Sequence, residues 1–276
     1  MPNWVTNNVT VVGKDNVKKF KEAFGVDFDE EFEAQDFSFT KVIPMPEELR
    51  IEAGWSTYDH LRKGKEPDRT SAYAQSRMEL ILEENYNKRI PQDKFAKIIC
   101  HRVLANDILK KQIKNFEPSM SLSDKELDDL ISGLAKSYFN LKRFGFTDWY
   151  SWSIANWGTK WDACEPMISD FDTTLHVSFD TAWATPEKVF KALADKGIDF
   201  KVTFADEDLG NNLGLLVSSN GKLEFVDLTE EYDSIAVANI IKGNDYEYYS
   251  EVATWYDDYK ALPIEDYERL ERIILD

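Results

Sequence analysis

Strand and helix patterns alternate in two short runs along this chain, and residues 50–146, patterned as helix alone, separate them. In the first run Val9-Thr10-Val11-Val12 reads as a strand that stops at Gly13. Asp15 or Asn16 then caps a helix whose apolar face is Val17, Phe20 and Phe24, at spacings of three and four. Phe37–Ile43 alternates as a second strand and ends at Pro44 and Pro46. In the second run Leu175, Val177 and Phe179 alternate, and Thr185-Pro186-Glu187 opens a helix faced by Val189, Phe190 and Leu193. Phe200, Val202 and Phe204 then form a strand, and Asn220-Gly221 turns a hairpin between Leu213–Val217 and Leu223–Phe225. With the middle removed, the order is βαββαβ plus a hairpin. It predicts an α+β, ferredoxin-like sandwich, an antiparallel sheet with helices on one face.

The middle reads as about three helices, given typical helix lengths. One covers residues 70–86, a second starts near Pro91 and carries Phe95, Ile98, Ile99, Leu104 and Ile108, and a third opens on a Ser123/Glu126 capping box and stops near Gly145. The expected organisation is a discontinuous ferredoxin-like domain at 1–49 and 147–226. A helical insertion at 50–146 lies between strands 2 and 3, and an acidic helical extension occupies 227–276.

Charge follows these divisions. The chain of 276 residues carries a formal net charge of −18. Residues 1–45 hold 5 basic and 8 acidic side chains, residues 46–150 hold 18 and 17, and residues 151–276 hold 10 and 26. Such a balance opposes the phosphate attraction behind most nucleic-acid binding, so nucleic acid is not the expected partner. Hydrophobic residues at 43% and aromatics at 13% supply a core and exclude a disordered acidic tail. No run of apolar residues is long enough to span a bilayer, and the start lacks the basic-then-apolar pattern of a signal peptide. Two cysteines, Cys100 and Cys164, make no disulfide framework and point to a reducing, cytoplasmic setting. No zinc spacing, phosphate loop or nucleophile elbow is present in the sequence, so neither metal nor cofactor is expected.

Three stretches carry a family likeness. They are Met1-Pro2-Asn3-Trp4 with Asn7–Val11, then Val42-Ile43-Pro44-Met45-Pro46-Glu47-Glu48-Leu49, and Trp149-Tyr150-Ser151-Trp152 with Asn156-Trp157-Gly158-Thr159-Lys160-Trp161-Asp162-Ala163. Phe179–Trp183 and the helix after Pro186 fit the same pattern. Together they resemble the Api92-like proteins, also called the YubB-type ferredoxin-like family, of phages, prophages and conjugative plasmids. The resemblance implies the ferredoxin-like fold and a mobile-element or bacterial cytoplasmic setting. It supplies no catalytic residues.

Two candidate sites remain. Strand-like alternation in the Trp-rich motif would put Trp157, Thr159 and Trp161 on one side and Gly158, Lys160 and Asp162 on the other. On the open face of a sheet the indoles form a stacking plate, with Lys160 and Asp162 as polar anchors; in the competing reading they seal the core. Trp4, Trp183 and His176 are expected near it. The second candidate is the acidic end, where Glu251, Asp257 and Asp258 are candidates for contact with a protein partner, from the host or a second copy. The expected function is a non-enzymatic interaction module. The alternatives are a small-ligand or enzymatic site at the Trp-rich motif, and an acidic mimic of nucleic acid built from Asp245, Glu247, Glu251, Asp257 and Asp258.

Overall fold

The computed structural model describes residues 3–27, 30–52, 69–116, 123–228, 232–255 and 259–275, with side chains left aside at 69–75, 112 and 114–116. It divides into two units, Met1–Pro44 with Ser153–Asp276, and Met45–Trp152.

The first unit is built on one six-stranded antiparallel sheet. Its strands are β1 (Trp4–Val12), β2 (Cys164–Phe171), β3 (Thr174–Ala182), β4 (Phe200–Asp206), β5 (Gly214–Ser219) and β6 (Lys222–Val226), in the order β2-β3-β1-β4-β5-β6. The first four strands have ferredoxin-like order, and the β5–β6 hairpin extends the sheet beyond β4. Asn220 and Gly221, at φ 52° and 77°, make the tight turn of that hairpin.

Alternation decides the faces. Val5, Asn7, Val9 and Val11 on β1 and Leu175, Val177 and Phe179 on β3 are buried on one side. Helix α1 (Lys14–Ala23) covers them with Val17 and Phe20. A chain of rings continues this core: Phe24 stacks on Phe37 at 4.8 Å, and Phe37 meets Phe179 at 4.9 Å. Asn7 is a fully buried polar residue here. Its amide donates to the Val5 carbonyl at 2.8 Å and to Thr181 Oγ1 at 2.9 Å, and its oxygen accepts from Thr185 Oγ1 at 2.6 Å.

The expected second strand is not a strand. Residues 37–43 contain the short helix α2 (Phe39–Val42), and the true β2 follows the helical unit, so that unit lies between α1 and β2. Two contacts explain α2. Ser38 caps it by accepting from the Thr40 amide at 3.3 Å, and the Asp162 carboxylate accepts from the Phe39 amide at 2.7 Å. The alternating Phe37 and Phe39 therefore line the core from a turn. At the edge β2 tolerates Pro166. It is tied down by Lys21, which is 3% exposed and bonds Asp170 at 2.8 Å.

The sheet's other face is covered over β4 by the C-terminal helices α9 (Ser234–Ile241) and α11 (Ile264–Leu275), with α10 (Tyr246–Ala253) packed beside them. Ile235, Ile240, Tyr249, Tyr267, Leu270 and Ile274 make that second core. Over β2 this face is open, with Met167 and Phe171 exposed.

Among its described residues the second unit has helices α3 (Arg69–Tyr86), α4 (Gln92–Leu104), α5 (Asp107–Phe116) and α6 (Asp124–Phe144); the expected second helix ends at Leu104, and Ile108 lies on the separate α5. Phe95, Ile99, Val103, Leu127, Ile131 and Phe139 form their common core. Ser123 and Glu126 close the capping box of α6, and Gly145 ends it in the left-handed region at φ 81°. Helix α7 (Trp149–Asn156) spans the sequence boundary of the units, and α8 (Glu187–Asp195) joins β3 to β4 in the first unit. Among the described residues no helix is long and apolar enough to cross a membrane.

Candidate functional site

The Trp-rich motif is a loop between α7 and β2, not a strand, and nearly every residue in it has a long-range partner. Trp157 is 4% exposed, donates from Nε1 to the Ile43 carbonyl at 3.0 Å, and meets Phe39 edge-on at 5.9 Å. Gly158 sits at φ 92°, where a Cβ would lie 3.4 Å from the Glu187 amide nitrogen and 3.5 Å from the Thr185 carbonyl oxygen. The positive φ calls for glycine, and the neighbouring backbone lies at van der Waals distance. Thr159 Oγ1 donates to the Ala182 carbonyl at 2.8 Å. Ser153 Oγ donates to the Lys160 carbonyl at 2.7 Å. Asp162 accepts from Ser38 Oγ at 2.6 Å and from the Ala163 amide at 2.9 Å, besides the Phe39 amide. The alternation expected for this motif is replaced by a clasp. Trp157 goes to the core, and Asp162 holds the start of α2.

What the clasp leaves near the surface is an aromatic cluster around one cation. The Lys160 ammonium lies 4.4 Å from the Trp161 ring centroid and 4.8 Å from that of Trp183. Trp161 in turn packs against Trp4 at 5.6 Å. Trp4, Lys160 and Trp161 are half-buried, and Trp183 is 42% exposed. Trp183 also has φ 72°, a conformation costing a bulky residue about 1–3 kcal/mol. The neighbouring backbone enforces it: the Trp183 amide donates to the Asn3 carbonyl at 2.8 Å, and the Asn212 side-chain amide donates to the Trp183 carbonyl at 3.2 Å. Asn212 and Asn3 also bond the buried Asp206 carboxylate, at 3.2 and 3.4 Å.

His176 lies elsewhere. It pairs with Thr10, whereas Trp4 pairs with Ala182, six positions along β3, roughly 20 Å at the rise of a strand. Its ring is exposed, and Nδ1 is 3.2 Å from Thr10 Oγ1. The structure thus brings together Trp4, Lys160, Trp161 and Trp183, sends Trp157 and Asp162 to structural contacts, and separates His176.

Residues 156–254 match a family model described as the ferredoxin-like domain in Api92-like protein. That stretch is similar to the ferredoxin-like domain of Api92-like proteins. The match begins at the end of α7, at the Trp-rich clasp, and runs through β2–β6 to α10. A crystal structure of a protein api92 from Yersinia pseudotuberculosis is similar at 9% identity, covering 82% of this chain and 99% of that one, with a TM-score of 0.32. No curated protein matches the chain.

The acidic end forms a second candidate surface. Glu247 and Glu251 are exposed one turn apart on α10. Tyr248, 45% exposed, stands between them in sequence, and Trp255, 65% exposed, follows just past the helix end. Asp245 caps the helix, accepting from the Tyr248 amide at 2.8 Å. Asp257 and Asp258 lie outside the described residues. Tyr246, Tyr249, Tyr259 and Tyr267 are packing residues. Tyr249 and Tyr267 stack at 4.7 Å, and Tyr259 donates to Asp233.

Sequence reasoning missed the Asn3–Asp206–Asn212 lock and a cavity of about 430 Å³ lined by Leu215, Phe225, Val226, Tyr232, Ile273 and Ile274. In the sequence only the local cluster of Asn and Asp at 206–212 marks the lock. The cavity, between the hairpin and the last helix, has no local signature. Both thiols are pushed up. Burial, then Asp180, Asp162 and Glu165, raises Cys164, and burial with Asp128 raises Cys100 to about 12. Among the described residues no group of three or more His, Cys, Asp and Glu side chains is placed to hold a metal.

Proposed function

We propose that this chain is a non-enzymatic interaction protein that holds a basic segment of another protein against the acidic, aromatic face of α10. The observation that carries this is the joint exposure of Glu247, Tyr248, Glu251 and Trp255. Carboxylates beside exposed rings suit Lys and Arg side chains, which gain both ionic and ring contacts. The field is right for such a partner, since residues 151–276 carry 10 basic and 26 acidic side chains. Asp257 and Asp258 extend the acidic stretch in sequence and belong to the proposed contact. A non-enzymatic reading is further supported by the Trp-rich motif, whose Thr159 and Asp162 are engaged in fold contacts, and by the raised thiols. The setting proposed is the cytoplasm of a bacterium carrying a phage or plasmid.

The test is the binding of a fluorescent Arg- and Lys-rich peptide to the full chain, measured by anisotropy. Saturable binding that weakens at least several-fold in Glu247→Gln/Glu251→Gln is expected. Equal binding by that variant, with its fold intact by circular dichroism, would refute the assignment.

A further inference from the structure

We propose that Trp161 and Trp183, with Trp4 packed behind Trp161, form an aromatic cage for a methylated ammonium group, and that Lys160 is its built-in occupant. This does not rest on the acidic face of α10. The structure already seats a cation there, within 4.4 Å of one indole centroid and 4.8 Å of a second. Trp4 backs the first ring at 5.6 Å. Ring faces attract cations through their quadrupole, and Trp does so best. Lys160, Trp161 and Trp183 belong to the strongly acidic stretch 151–276, whose net charge favours cations over anions.

Core packing alone does not account for Trp183. A core residue has no need of a strained backbone that leaves 42% of it exposed. Two hydrogen bonds, to Asn3 and from Asn212, hold that backbone in place. Strain maintained in this way is characteristic of a side chain that must be presented in one direction.

The class of ligand follows from exchange. A primary ammonium such as that of Lys160 is strongly hydrated and returns to water at low cost. A trimethylated ammonium is poorly hydrated and gains more from ring faces. The ligand therefore displaces Lys160, and its apparent affinity is reduced by the fraction of time Lys160 fills the cage. The methylated head can be carried by a free small cation or by a lysine side chain of a protein.

The test uses the full chain, with choline and a trimethyllysine peptide as probes and the indole N–H resonances as readout. Choline is expected to shift the Trp161 and Trp183 signals saturably. Lys160→Met should tighten choline binding several-fold, and Trp183→Gly should abolish it without lowering the melting temperature, because glycine adopts φ 72° freely. Tighter binding of choline than of the peptide identifies a free cation as the natural class, and the reverse identifies a modified protein. Three results would overturn the proposal: no saturable shift in either the native chain or Lys160→Met, unchanged or weaker binding in Lys160→Met, or equal binding of the neutral tert-butyl analogue of choline. Lys160→Met alters only a half-buried side chain, so it stays informative if Trp183→Gly fails to fold.

Discussion

Lys21 is 3% exposed, and its ammonium bonds an Asp170 carboxylate that is 15% exposed. The pair links α1 to the edge strand β2. Removing one partner leaves a buried charge alone, which costs about 3–5 kcal/mol, whereas replacing both with apolar residues costs much less. Urea unfolding should therefore show Lys21→Met far less stable than Lys21→Met/Asp170→Leu. Similar losses in the two variants would contradict this. Asp162 is a second such residue. Asp162→Ala strips the acceptor from the Phe39 amide and Ser38 hydroxyl, and an expected loss of about 1–3 kcal/mol is readable in the same assay.

At the scale of elements, legibility in the sequence tracked burial. β1, β3 and β4 each have a mainly apolar buried face, so their alternation is visible, and the Asn220-Gly221 turn names its own hairpin. β2 is an edge strand whose side chains are all at least partly exposed, so it leaves no apolar pattern to find. Phe37–Ile43 shows the reverse error, because its alternating rings serve a capped turn. The Trp-rich motif was conspicuous in the sequence, but its geometry was not. Its partners, the Ile43 and Ala182 carbonyls and the Phe39 amide, are remote in the chain or belong to backbone that no local pattern predicts. The tail helices also make a testable statement about pH. Burial, first among the causes, raises the hydroxyls of Tyr249, Tyr259 and Tyr267. Above pH about 10 the unfolded chain loses phenolic protons that the folded chain keeps, so the unfolded state binds fewer protons and stability falls as pH rises. Below that pH these groups contribute no slope. Unfolding followed across this range should show the decline, and Tyr259→Phe should make it shallower. An equally steep decline in Tyr259→Phe would contradict the assignment.

For the whole molecule, the net charge of −18 has become a statement about place. Carboxylates that cap helices, such as Asp233 and Asp245, or that sit in the fold, such as Asp162, Asp170 and Asp206, are committed to structure. Glu247 and Glu251 are exposed close to Tyr248 and Trp255, which are exposed as well. If they recognise a basic segment, the recognition must invert with charge. The most direct measurement is therefore a charge exchange on the full chain. Glu247→Lys/Glu251→Lys and the native chain are each titrated with an Arg- and Lys-rich peptide and with its Glu-substituted counterpart, at low and high salt. The native chain should bind only the basic peptide, more weakly as salt rises, and the reversed chain should lose that peptide and gain the acidic one. Retention of the basic peptide by the reversed chain, with unchanged affinity, would contradict the account.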